Sequence, residues 1–206
     1  MLFSTVNRLG REALGGVEMY SGTNKTALMS QRLIARTLIT LMEEKPWEQI
    51  SISELCKSAG ISRQTFYTLF SSRENVVVFT LQAKYSYVPE NDLRASLPRE
   101  APASEAPCGI RALCRGYSEY IYRNRDFLRL LVSNHIDYLL NDSIYTSLVE
   151  CAGFLSRTDP CIRRYAAGFY AGGISSVARC YAMEGCTSSP RQLEDLLFTF
   201  FTGALF

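Results

Sequence analysis

Two short helical segments separated by a four-residue turn constrain this chain more than any other feature. Ser51-Ile52-Ser53-Glu54 has the form of a capping box, in which the Ser51 hydroxyl takes the amide three residues on and Glu54 reaches back to the cap. The helix it opens would bury Ile52, Leu55 and Cys56, and Gly60 ends it where a positive φ costs least. Ser62 then caps the next helix. Two helices of about eight residues around Ala59-Gly60-Ile61-Ser62 predict a helix-turn-helix. On a wheel with Phe66 at zero, Phe70 falls near about 40° and Ser62 near about 320°, while Gln64 and Thr68 fall near about 160° and 200°. One face is therefore aromatic and the other short and polar. Arg63 and Tyr67 flank the polar face and Leu69 sits on the opposite shoulder. Hydroxyls and amides so placed suit a major groove, where they meet base edges while Arg63 reaches a phosphate or a guanine.

The flanking text extends the pattern. From Lys25, Leu33, Ile34, Thr37, Leu38, Leu41 and Met42 recur at helical spacing until Pro46-Trp47, and Ser71 with Glu74 predicts another capping box. Residues 1–24 contain Gly10, Gly15, Gly16, Ser21 and Gly22 and no periodic apolar face, so they read as a mobile extension. An arm entering a minor groove is the other reading of that stretch. Such arms are usually rich in Arg, whereas Arg8, Arg11, Glu12 and Glu18 cancel here.

Composition limits the function classes. The chain has 206 residues, 47% of them apolar, and a net charge of +2, so nucleic-acid contact must come from placement rather than bulk charge. From Lys25 to Glu74 there are seven basic and five acidic side chains. No apolar run reaches the roughly 20 residues of a membrane span, and the N-terminus lacks a secretory pattern, which predicts a cytoplasmic protein. The seven cysteines (Cys56, Cys108, Cys114, Cys151, Cys161, Cys180 and Cys186) include no C-x-x-C pair, and His135 is the one histidine, so neither a metal site nor a disulfide framework is expected. Buried free thiols are the simplest account of them. H-E-x-x-H, G-x-S-x-G and a phosphate-cradling glycine loop are all missing, so an enzyme and a cofactor are not expected.

The segment S-I-S-E-L-C-K-S-A-G-I-S-R-Q-T-F-Y-T-L-F-S-S-R-E-N-V, Ser51 to Val76, resembles the DNA-binding segment of the TetR family, with the family's spacing and no gaps. The similarity runs from about Lys25 to Leu81. It implies an all-α fold: an N-terminal three-helix DNA-binding domain with a helix-turn-helix (25–85), joined to a helical regulatory and dimerisation domain (86–206). It also implies that Ser62, Arg63, Gln64, Thr65, Tyr67, Thr68 and Arg73 serve DNA binding, with Tyr67 near a phosphate. Arg73 stands where Lys is usual, which keeps the cation and adds a guanidinium fork. Leu69 departs from the polar residue usual before the Phe, which predicts one phosphate contact fewer. The function implied is a repressor that binds double-stranded operator DNA and is released by a small-molecule effector. A TetR-like module that binds another protein and no longer reads DNA is the alternative.

The second half is less explicit. Pro89, Pro98, Pro102 and Pro107 predict a long connection over 89–108, followed by helices from Gly109 to Tyr122, Asp126 to Leu140 and Ser143 to Leu155. By the resemblance, an effector pocket lies among these helices, and Tyr117, Tyr120, Phe127, His135, Tyr138 and Phe169 are its candidates. Pro160 to about Glu184 is rich in Gly, Ala and Ser, including Gly168 and Gly172, which suits close approach of a partner helix. Ser189-Pro190-Arg191-Gln192 opens a final helix whose face of Leu193, Leu196, Leu197, Phe200, Phe201 and Leu205 is too apolar for water. The family pairs its last two helices as a four-helix bundle, which implies a homodimer through Gly168, Gly172, Leu196 and Phe200.

Overall fold

The computed structural model describes residues 19–85, 109–150 and 159–203. Nine α-helices and one 3-10 turn, with no strand beyond an isolated bridge, make up the described residues. The chain divides between Leu81 and Gln82 into two units.

In the first unit, α1 (Lys25–Glu44) buries Ile34, Ala35, Leu38, Leu41 and Met42 along one stripe. Leu33, expected on that stripe, is turned outward. Asn24 caps α1 by accepting the Thr26 amide at 2.9 Å. A 3-10 turn (Trp47–Gln49) buries Trp47 and leads into α2 (Ile52–Ser58). The Ser51 hydroxyl accepts the Glu54 amide at 3.1 Å, but the Glu54 carboxylate does not reach back; it pairs with Lys45 Nζ. Ala59 closes α2 and Gly60 takes φ +65°, with the Gly60 amide on Lys57 O and the Ile61 amide on Cys56 O. That double closure satisfies two otherwise orphaned carbonyls and needs the left-handed residue that glycine supplies. Then come α3 (Arg63–Leu69) and α4 (Arg73–Tyr85). The expected Ser71 cap falls one residue later, since it is Ser72 Oγ that accepts the Asn75 amide, at 3.2 Å.

The second unit contains α5 (Ile110–Arg123), α6 (Arg125–Ser133), α7 (Tyr138–Glu150), α8 (Pro160–Met183) and α9 (Pro190–Thr202). Here α9 packs on α5, and α8 packs on α6 and α7. Its core includes Leu113, Tyr120, Ile121, Leu128, Leu131, Ile144, Ile174 and Leu197. The helix expected over 126–140 is two helices. Asn134 closes α6 and His135 takes φ +56°, while the Ile136 amide donates back to Leu131 O at 3.0 Å. The Asn134 side chain adds a bond to Leu130 O at 2.9 Å. The Ser-Asn-His run, all residues that compete with helical bonding or tolerate the left-handed region, is the signal of this break. The expected capping box of α9 is complete, with Ser189 N donating to Gln192 Oε1 at 2.8 Å and Gln192 N to Ser189 Oγ at 3.3 Å. No helix among the described residues is long and apolar enough to cross a membrane.

Candidate nucleic-acid interface

Helix α3 is about two amphipathic turns whose two faces are sharply divided. Phe66, Leu69 and Phe70 are buried, and Phe66 and Phe70 lie 6.0 Å apart, with Phe70 packed edge-on against Phe79 of α4 at 5.5 Å. Arg63, Gln64, Thr65, Tyr67 and Thr68 are exposed on the other side. Leu69, the residue that departs from the family pattern, is only 3% exposed and belongs to the core. Its side chain thus serves packing, and the phosphate contact assigned to a polar residue there has no counterpart on that face.

The exposed hydroxyls are partly committed. Ser62 Oγ accepts the Thr65 amide at 3.0 Å and lies 2.9 Å from Thr65 Oγ1. Thr68 Oγ1 donates to Gln64 O at 2.9 Å, so outward it offers a methyl group and lone pairs. Gln64 brings an amide with both donor and acceptor, the chemistry of bidentate contact with adenine. Tyr67 is 51% exposed and held edge-on by Phe66 at 5.5 Å, which aims its hydroxyl away from the core. Burial pushes the Cys56 thiol on α2 upward, and the neighbouring Arg63 guanidinium partly offsets that rise.

Two long-range connections hold the end of α3. Met19 forms a bridge with Phe70, and the Tyr20 amide donates to Leu69 O at 2.9 Å. The Tyr20 carbonyl in turn accepts Nε2 of the buried Gln31 at 3.0 Å. The last residues of the stretch read as a mobile extension therefore bond to the end of α3 and to α1; residues 1–18 lie outside the described residues. On the other side, Arg73 Nη1 donates to Trp47 O at 2.8 Å and to Ile50 O, and its guanidinium lies 4.3 Å from the Trp47 ring centre. Sequence reasoning missed Tyr20 and Gln31, for which no local pattern exists.

This geometry meets its match in known proteins. Residues 34–78 match the model of the bacterial regulatory proteins of the tetR family. Over that stretch, which holds the helix-turn-helix unit, the chain is similar to the TetR family. It is 34% identical over 68 residues to the HTH-type dhaKLM operon transcriptional activator DhaS of Lactococcus lactis, covering 33% of this chain and 32% of that protein. It is 39% identical over 70 residues to the HTH-type transcriptional regulator EthR of Mycobacterium tuberculosis, covering 34% and 31%. Each alignment thus spans about a third of the relative. The solved structure of the TetR family repressor AlkX from Dietzia sp. strain DQ12-45-1b, implicated in biodegradation of n-alkanes, shares the fold. It superposes with a TM-score of 0.50 at 20% identity, covering 84% of this chain and 96% of that one.

The pocket candidates differ in exposure. Tyr117, Tyr120 and Phe127 are buried in the core of the second unit, and burial raises the Tyr120 hydroxyl well above the usual tyrosine range. Tyr138 and Phe169 are 55% and 64% exposed, and His135 is exposed on the turn between α6 and α7. Of the dimer candidates, Leu196 and Phe200 are exposed on α9, Gly168 is exposed on α8 and Gly172 half-buried. Leu205 lies outside the described residues. Among the described cysteines, Cys56 and Cys114 are buried as expected, but Cys161 and Cys180 face outward from α8 and Cys186 is half-buried.

Proposed function

We propose that this protein is a DNA-binding transcriptional regulator that reads operator DNA with α3 as a homodimer, acting as a repressor released by a small-molecule effector. The observation that carries the DNA reading is the division of α3: Arg63, Gln64, Thr65, Tyr67 and Thr68 stand outside a helix pinned from behind by Phe66, Leu69 and Phe70. In this reading Tyr67 and Arg63 meet phosphates, and Gln64 meets a base edge. The alternative of a protein-binding module rests on Leu69 and the modest net charge, and the exposed row of Arg63, Gln64, Thr65, Tyr67 and Thr68 favours the DNA reading over it.

Assembly through the last two helices is supported by Ile162, Tyr165, Phe169 and Met183 of α8 and Leu196 and Phe200 of α9, large apolar side chains left exposed in the single chain. Two heads joined about a two-fold axis would read a palindromic site. Repression is carried over from the AlkX description, and a cytoplasmic setting belongs to the same reading. The test is selection of bound fragments from a library of random duplexes, followed by titration of the recovered site at several protein concentrations. Recovery of an inverted repeat bound by a dimer is expected; failure to enrich any sequence overturns the reading.

A further inference from the structure

We propose that Arg73 is a positioning residue for DNA recognition, acting by clamping the entry of α2 to the exit of α3 rather than by touching a phosphate. The inference rests on the reading of the first unit as a DNA reader. Arg73 is the first residue of α4, directly after the Phe70–Ser72 stretch by which the chain leaves α3. Its Nη1 donates to the carbonyls of Trp47 and Ile50, and its guanidinium lies over the Trp47 ring. Ile50 immediately precedes Ser51, the N-cap of α2. One side chain therefore joins the point where the helix-turn-helix begins to the point where it ends.

The chemistry explains why the residue is Arg. Nη1 carries two hydrogens, and two backbone carbonyls receive them. A planar guanidinium can do this while lying flat on an indole; a Lys ammonium, a point charge with tetrahedral donors, cannot reproduce both. Trp47 and Ile50 are buried, so these carbonyls belong to backbone with little access to water; Trp47 O already takes the Ile50 amide at 3.1 Å, and Arg73 adds a second bond to it as well as the bond to Ile50 O. A guanidinium held this way is turned into the protein. The two α-helices whose relative placement sets the recognition surface gain a fixed hinge from it.

Titrations of a fluorescein-labelled duplex carrying the selected site, with the wild-type chain, Arg73→Lys and Arg73→Met over a series of salt concentrations, test the inference. The active fraction of each variant is fixed by stoichiometric titration, and its folding by circular dichroism at the assay temperature. A clamp predicts that both variants lose about tenfold or more in affinity per folded molecule, the scale of one charge-assisted hydrogen bond. It also predicts that the salt slope of the Met variant stays close to that of the wild type. A phosphate contact predicts instead that Lys keeps the affinity, and that Met lowers the slope by about 0.9. Trp47→Phe supplies a milder probe: its effect and that of Arg73→Met should be strongly non-additive if the two share one clamp. Wild-type affinity per folded molecule in the Lys variant, a slope lowered by a full phosphate in the Met variant, or additivity with Trp47→Phe overturns the inference. A wild-type chain that binds no duplex overturns the DNA reading first, and the inference with it.

Discussion

Gly173 of α8 lies directly beneath the Phe201 ring of α9: a Cβ on Gly173 would meet Phe201 Cε1 at 2.7 Å and Cζ at 3.1 Å. Phe201 packs edge-on against Tyr170 at 4.7 Å and near Phe169 at 6.1 Å, so swinging aside would give up those ring contacts. Gly173→Ala should therefore destabilise the second unit by about 1–3 kcal/mol, less whatever helix propensity returns. Gly116→Ala on α5, where an added Cβ meets nothing within 4 Å, should instead gain up to about 1 kcal/mol. Urea denaturation of both variants checks the contrast, and equal shifts of the same sign would count against the packing.

The neighbouring Gly172 behaves differently, because a Cβ there also meets nothing within 4 Å of its own chain. Gly172→Leu should leave the single chain folded and weaken the dimer, since forcing a side chain into a close-packed contact costs about 1–3 kcal/mol. Operator affinity should fall with dimerisation, although no DNA-facing residue has changed. Sedimentation at several concentrations beside a binding titration measures both effects. A wild-type chain that is monomeric yet binds a palindrome tightly would remove the interface.

On α3, Tyr67→Ala should weaken binding to all duplexes alike, whereas Gln64→Ala should change the preferred base at one position by about 1–3 kcal/mol. Random-site selection with each variant separates the two roles. An unchanged preference in the Gln64 variant would assign the base reading elsewhere.

Tyr20 bonds to Leu69 O and to Gln31, so truncations at two neighbouring points should differ. Removing residues 1–18 should leave operator affinity nearly unchanged, while removing residues 1–22 strands the buried Gln31 amide and frees the end of α3. Leaving such a group unsatisfied costs about 1–3 kcal/mol. Thermal melts and titrations of both truncations check this; a large affinity loss in the shorter truncation would revive a DNA-contacting arm.

Burial, reinforced by Glu194, raises the Cys114 thiol to about 11 from its ordinary 9.0. The unfolded chain loses that proton first, so the folded state binds more protons between those values. The contribution to stability is fully present below pH 9.0 and is lost as pH rises toward about 11. The loss is at most about 1.4 kcal/mol per pH unit, one proton's worth. Denaturation midpoints from pH 8 to 11 should fall less steeply in Cys114→Ala. Equal slopes in both chains would contradict the assignment.

Much of the local architecture was legible in the residues. Ser51, Gly60, Ser62 and the Ser189–Gln192 box each act on amides or carbonyls within a few positions, and the division of α3 follows from a spacing of four between Phe66 and Phe70. Where a local rule had a distant competitor, the distant group prevailed. Glu54 left its capping box for Lys45, nine residues away, and Arg73 turned to Trp47 across 26 residues rather than outward.

The same holds for the sensing candidates, because aromatic residues look alike in a sequence whether they fill a core, as Tyr117, Tyr120 and Phe127 do, or stand on a surface, as Tyr138 and Phe169 do. The sequence by itself determined the Ser51, Ser62 and Ser189 caps, the helices they open and the polar row from Arg63 to Thr68, because hydrogen bonds along a helix reach only three or four residues. Only tertiary structure decided that Leu69 is core, that Tyr20 ties down the end of α3 and that Arg73 bonds to Trp47 and Ile50. Those outcomes depend on which distant carbonyls and rings the packed chain brings within reach, and burial makes leaving such carbonyls unbonded too costly.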